Sequence, residues 1–248
     1  AYRSKHDVSR DDLKRAMAHI SVKSHDNAAR NPKAHLRNRI TMDAVLNAPL
    51  VAEPLGLYDC CGVSDGAACA IVTTPEIARS LGKTDLVSVK ALQVSVSNGL
   101  EAQHNSWDGS YFHTTRVAAQ RAYQEAAIGN PREEISLVEV HDCFSITELV
   151  TLEDLQLSAE GGAITDVLDG FYDAAGNIPC QIDGGLKCFG HPIGASGLRM
   201  IYEMYLQILG RAGERQRKTL PRLGMTHNLG GVPHQNVCSI AIVGRYGD

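Results

Sequence analysis

The sequence predicts a layered α/β fold, and three observations carry that prediction. Short apolar runs of strand character alternate with stretches of helical spacing along the 248 residues. The composition, 44% hydrophobic and 21% charged, is that of a folded domain and excludes disordered, collagen-like and mucin-like chains. A chain of this length buries roughly 70–75% of its unfolded surface, enough for one large domain or two small ones.

From the amino end, Ser9 with Asp12 three residues on marks a helix start, and Leu13, Met17 and Ile20 follow at helical spacing. The opening forty-odd residues are charged, His-rich and poor in large apolar groups, so they are expected to lean on the rest of the chain. Arg30, Lys33, Arg37 and Arg39 form a basic cluster there: either a solvated face or a grip on an anionic ligand such as a nucleotide phosphate. Gly66–Val72 is small and apolar, as a strand sandwiched between layers would be, and Thr74-Pro75-Glu76 opens a helix with proline at its first position. Val87–Val96 alternates in part and predicts a strand. His113–Ala127 predicts a helix, and Ile135–Val140 another strand. Ser145 and Glu148 have the spacing of a capping box at the start of the next helix. Leu198, Ile201, Tyr205 and Leu209 share a helical face, and Val237–Val243 is a closing strand.

Charge and cysteine usage narrow the function classes. The formal net charge is -4 with no basic stripe, which argues against nucleic-acid binding. No apolar run approaches the roughly 20 residues of a membrane span. Seven cysteines without a CxxC pair imply neither a disulfide framework nor a structural zinc site, and no metal is expected.

Three segments combine unusual backbone with reactive side chains. In Val140-His141-Asp142-Cys143-Phe144-Ser145, a strand gives way to a helix. That places His141 and Cys143 at a strand's carboxyl end, where open α/β sheets bind ligands. The helix start and a nearby imidazole are expected to favour thiolate at Cys143. Between Gly184 and Gly197, glycines and Pro192 surround His191 just before an apolar-faced helix, so this imidazole is expected to be held rigidly. Neither a P-loop nor a dinucleotide-binding pattern fits that loop. Finally, Asn228-Leu229-Gly230-Gly231 offers backbone N–H groups of the kind an oxyanion hole needs, although the same residues are ordinary turn formers.

At these residues the chain resembles the thiolase superfamily, and most closely its sterol-carrier-protein-2-like, lipid-transfer-type branch. The matching motifs are His141-Asp142-Cys143-Phe144, Gly190-His191-Pro192-x-Gly194-Ala195-Ser196-Gly197 and Asn228-Leu229-Gly230-Gly231. Asn27-Ala28-Ala29-Arg30-Asn31-Pro32 and Ser64-Asp65-Gly66-Ala67-Ala68 support them upstream. The resemblance implies a thiolase-type layered α/β fold with mixed five-stranded sheets covered by helices. It divides the chain into a helical loop region (1–55), the remainder of an N-terminal half (56–82) and a C-terminal half (83–248). It also implies acyltransferase chemistry: Claisen condensation or thiolysis of 3-ketoacyl-CoA thioesters, with coenzyme A as substrate or product and no permanent cofactor.

By matching position, His141 would hold a water in an oxyanion hole. His191 would donate to that hole and help activate the nucleophilic cysteine. Cys143 would be the acid/base for the α-proton, and the Gly230 amide would join a second oxyanion hole. Arg30, Lys33, Arg37, Arg39 and Ser196 are the expected coenzyme A contacts. The nucleophilic cysteine of a thiolase has no match here; Cys60, Cys61 and Cys69 stand elsewhere, so an N-terminal portion is expected in cis or from another subunit. Two alternatives stay open. One is a retro-aldolase on a steroid side-chain CoA thioester, working with a zinc-ribbon/OB-fold acyl-CoA-binding partner. The other is a catalytically incomplete CoA-ester-binding subunit. The resemblance further implies a homodimer, and the absence of a terminal Ser-Lys-Leu makes the cytoplasm the expected location.

Overall fold

A computed structural model of the chain describes residues 1–99 and 107–247. Asp248, the last residue of the sequence, lies outside them. Helices α1 (Tyr2–His6), α2 (Arg10–Ala28) and α3 (Met42–Leu46) come first, followed by the short strands β1 (Leu50–Ala52) and β2 (Leu55–Gly56); the short helices α4 (Pro75–Ser80) and α6 (Pro131–Glu134) lie further along the chain. Ser9 caps α2 by accepting the Asp12 N–H, and Leu13, Met17 and Ile20 are buried on one side of it. As its sparse apolar content predicts, α2 is not a separate core. It packs against α7 (Ser145–Asp154), α8 (Ala163–Leu168) and α9 (Gly185–Cys188).

The main sheet is mixed. β3 (Val87–Val96), β4 (Leu137–Glu139), β5 (Leu223–Val232) and β6 (Gln235–Arg245) lie in the order β3-β6-β5-β4. The β5–β6 and β3–β6 pairs are antiparallel, whereas β4 joins β5 in parallel. Among the described residues this sheet has four strands, one fewer than the expected five. The fifth position is held only by a parallel bridge from Cys180 to Val138, because the chain touches β4 there and turns away.

Helices cover both faces. α5 (His113–Glu125) packs on β3 and β6 from one side, α10 (Ser196–Ile208) on β5 and β6 from the other. Successive strand residues therefore serve different cores. Val138, Met225, Ile240 and Ile242 join the large cluster with α2, α5 and α7; Leu137 and Val243 join a smaller one with Met204 and Ile208 of α10. At Gly224 a Cβ would stand 2.5 Å from the Met204 sulfur, so the close approach of α10 depends on glycine there. Among the described residues, no helix is long and apolar enough to cross a membrane.

Two expectations are corrected. Gly66–Val72 is not a strand: residues 61–74 lack regular structure, and Ile71 and Val72 are 89% and 85% exposed. A strand needs a ladder partner for its N–H and C=O groups, and among the described residues none lies beside this segment. Ser145 and Glu148 do not form a capping box. The cap position is Phe144, Ser145 meets the Ser21 hydroxyl of α2 at 3.0 Å, and Glu148 pairs with Lys23.

On α10 the apolar face is the outward one: Leu198, Ile201 and Leu209 are half-buried and Tyr205 exposed. The inward face carries Arg199, Glu203 and Gln207 beside Met200, Met204 and Ile208. Burial of these polar groups is tolerable because they are paired, Arg199 with Asp183 and Glu139, and Glu203 with Arg215.

The Lys23–Glu148 pair that ties α2 to α7 is almost fully buried on both sides. Breaking it from one side strands a charge, so Lys23→Met is expected to cost about 3–5 kcal/mol in urea unfolding. The double variant Lys23→Met/Glu148→Leu is expected to regain most of that loss. A single variant as stable as the parent would show that the pair does not hold the helices together.

Candidate active site

The three motif segments meet at one cleft of about 500 Å³, lined by His141, Cys143, His191, Asn228, Leu229 and Gly230 among others. His141 and Cys143 lie in the loop between β4 and α7, His191 in the loop between α9 and α10, and Gly230 near the end of β5. The His141 and His191 rings stand edge to face, with centroids 5.1 Å apart.

Asp142 joins the first two segments. Its side chain is buried, and its Oδ1 accepts the Leu186 N–H at 2.7 Å while Oδ2 accepts from Lys187 N–H at 3.4 Å. The carboxylate thus satisfies orphan donors at the start of α9, the turn that leads into His191. Gly185 has φ +65°, and a Cβ there would lie 2.5 Å from Asp142 Oδ2, so this contact accounts for the glycine. A third segment laces over both loops. Cys61 N–H donates to the Cys143 carbonyl at 2.9 Å, and His191 N–H donates to Ser64 Oγ at 3.2 Å.

Hydrogen bonding sets the state of His191. The Ser196 hydroxyl donates to the Pro192 carbonyl at 3.1 Å, so at 2.8 Å from His191 Nδ1 it acts as acceptor. Nδ1 therefore carries the proton and Nε2 keeps its lone pair. Burial, then the Arg199 cation, keeps the imidazole below its ordinary pKa. His141 is pushed down to about 4 by burial first, then by His191 and Arg199, and its Nδ1 is buried without a hydrogen-bond partner. Both rings are neutral near pH 7.

Cys143 is a resting thiol, and the expectation of a thiolate is corrected. Burial raises its pKa, and Asp142 adds to the effect; the bond to Thr147 Oγ1 at 3.7 Å only partly opposes them. The imidazoles lend no positive charge because they are themselves neutral. Gly230 is also placed differently from a turn. It lies within β5 opposite Val237, and a Cβ there would meet no atom within 4 Å, so its backbone borders open cleft.

The basic residues expected to contact coenzyme A stand apart from this cleft. Among the described residues that line it, none is Arg30, Lys33, Arg37 or Arg39. Arg30 donates to Asn27 Oδ1 at 2.6 Å, Lys33 to the Tyr202 hydroxyl at 2.9 Å, and Arg39 lies 3.8 Å from Asp26; Lys33, Arg37 and Arg39 are exposed. Ser196 is buried against His191. Sequence reasoning missed Phe112, Thr147 and Ile193 in the lining, as well as the part played by His227. Thr147, one helical turn after Cys143, was visible from spacing. Phe112 carries no such signal, since it arrives from a distant helix.

A family model described as thiolase C-terminal domain-like matches residues 95–243. The chain belongs to the thiolase family. It is 39% identical over 215 residues to an acetyl-CoA acetyltransferase of Methanothermobacter thermautotrophicus, covering 87% of this chain and 55% of that protein. It is 34% identical over 215 residues to benzoylsuccinyl-CoA thiolase subunit BbsB of Thauera aromatica, covering 87% and 54%. Among solved structures, the Ltp2-ChsH2(DUF35) aldolase superposes with a TM-score of 0.83 at 22% identity, over 100% of this chain and 61% of that one. That likeness speaks for the fold. The chain spans about half the length of the curated relatives it matches.

His227 supports the thiolase cleft from behind. It is fully buried; its Nδ1 accepts the His141 backbone N–H at 3.5 Å, and its Nε2 lies 3.0 Å from Thr115 Oγ1. Burial, then His141, lowers its pKa from 6.5 to about 3. Between those values the unfolded chain takes up a proton that the folded chain refuses, so this contribution to stability is lost as pH falls from about 6.5 towards 3. The stability difference between the parent and His227→Asn, read by urea unfolding, is expected to change by about 1.4 kcal/mol per pH unit between about pH 6 and pH 4. A pH-independent difference would mean that the imidazole titrates alike folded and unfolded.

Proposed function

We propose that the chain carries the acid/base and oxyanion-stabilising half of a thiolase-type acyltransferase, which forms or cleaves a C–C bond in 3-ketoacyl-CoA thioesters. The observation that carries this reading is the convergence of Cys143, His141 and His191 on one cleft from segments up to fifty residues apart. The nucleophilic cysteine is supplied by an N-terminal half, in cis or from another subunit; a close relative is itself named a thiolase subunit.

The charge states suit this work. In the cleavage direction the nucleophile must lose a proton, and His191 Nε2 offers the lone pair to take it. Once protonated, the same nitrogen becomes an N–H donor to the oxygen on which negative charge develops. His141, whose backbone is held by His227, holds a water towards that oxygen. When the C–C bond breaks, the departing enolate needs a proton at carbon. Cys143 starts as a thiol and donates it, and the resulting thiolate then deprotonates the incoming coenzyme A thiol. Gly230, at the open end of β5, contributes its N–H to the second oxyanion. Coenzyme A itself is gripped through the exposed side chains of Lys33, Arg37 and Arg39, with Arg30 beside them and Ser196 acting through His191. The working unit is a dimer in the cytoplasm.

Cys143→Ala, made in the protein with its N-terminal half present, is expected to lower kcat for coenzyme A-dependent cleavage of a 3-ketoacyl-CoA by about 10²–10⁴-fold. Turnover close to that of the parent would remove Cys143 from its role.

A further inference from the structure

Behind the cleft, one guanidinium touches all three segments that carry its histidine machinery. Arg199 stands on α10, three residues after Ser196, and is only 6% exposed. Its Nη1 pairs with Asp183, and reaches Glu139 Oε2 at 3.4 Å. Asp183 in turn accepts the Gly185 N–H at 2.8 Å, so it anchors the start of α9. Glu139 ends β4, two residues before His141. The guanidinium also lies 5.1 Å from the centre of the Phe189 ring, two residues before His191.

We infer that Arg199 is a positioning residue of the site: its guanidinium fixes, in one arrangement, the β4 end that carries His141, the α9 loop that carries His191, and the α10 turn whose Ser196 holds the His191 ring. Reach and shape both matter. Nη1 alone makes both carboxyl contacts, while Nε and Nη2 are buried without a hydrogen-bond partner; a lysine ammonium ends short of the Nη1 position and offers no planar cation to the Phe189 ring.

Charge accompanies position. Around the two imidazoles stand Cys143 and Asp142 from one loop, His227 from β5 and Arg199 from α10, with Cys61 and Lys187 beside Cys143 and Asp142. Ser64 and Ser196 are uncharged neighbours, and the Asp142 carboxylate is turned into the start of α9. Burial, then Asp183, holds the Glu139 carboxyl well above its ordinary range. The Arg199 cation opposes protonation of both rings.

The inference draws on the thiolase reading for what the imidazoles do, not for where they are held, so two readouts are taken on the whole protein with its N-terminal half. The first is side-chain ¹⁵N NMR of histidine, which reports the Nδ1–H tautomer of His191 and its titration. The second is the pH profile of 3-ketoacyl-CoA cleavage. Arg199→Gln is expected to lower kcat by about 10²-fold with KM little changed, as a slight misplacement of catalytic groups does. It should also disturb the Nδ1–H signal and move the acid limb of kcat to higher pH. Arg199→Lys, which keeps the charge but falls short of the Nη1 position, is expected to leave the acid limb in place while kcat stays depressed.

A folded Arg199→Gln protein with the parent's kcat, acid limb and histidine signals would overturn the inference. If glutamine prevents folding, the lysine variant decides: parental kcat and signals overturn it. If the parent shows no thiolase turnover, the function reading fails separately, and unchanged NMR signals in either variant still sink the positioning role.

Discussion

The site depends on a buried carboxylate that belongs to one motif and terminates a helix in another. Asp142 lies between His141 and Cys143, yet its oxygens accept the N–H groups of Leu186 and Lys187. Those donors would otherwise be orphans inside the protein, and an unsatisfied buried donor costs roughly 1–3 kcal/mol. Satisfying them from β4's end fixes the distance between the two loops, and the 5.1 Å separation of the histidine rings follows from that. The glycines are consequences of the same closeness: a side chain at Gly185 would collide with Asp142, and one at Gly190 would stand 2.8 Å from the Ser64 hydroxyl.

Much of this was legible in the sequence. The strand–helix alternation, the Ser9 cap and the β3 and β6 strands rest on local patterns that the fold preserves, whereas the meeting of the three motifs is what the family resemblance implies. What local pattern could not reveal was which groups would be partnered. Ser145 and Glu148 have capping-box spacing, but α2 crosses at that point and takes both side chains. Gly66–Val72 has strand composition, but among the described residues it has no neighbour to pair with. On α10 the periodicity of Leu198, Ile201, Tyr205 and Leu209 marks a face correctly but not its direction, because a buried ion network holds the opposite side. Each case turns on a contact distant in sequence, and the apolar period alone carries no information about it.

The charge state of the cleft has the same origin. A helix start beside a cysteine suggests a thiolate, and two histidines suggest cations, when each is considered singly. Packed together, they suppress one another: desolvation penalises every charged form, and the Arg199 cation adds to the penalty on the rings.

A cleft whose groups are neutral at rest is suited to charge that appears only during reaction. A fixed cation at His191 would bind any anion, substrate carboxylate or phosphate included, equally before and after the chemical step, and so would do little for the barrier. A neutral ring with Nδ1–H tied to Ser196 can instead gain its proton from the group it activates and then present an N–H to the oxygen that becomes negative. The same holds for Cys143, whose thiol can give a proton to carbon only because burial keeps it protonated. Desolvation, which counts against stability at acid pH through His227, is thus the condition that lets these side chains exchange protons with a substrate rather than with water.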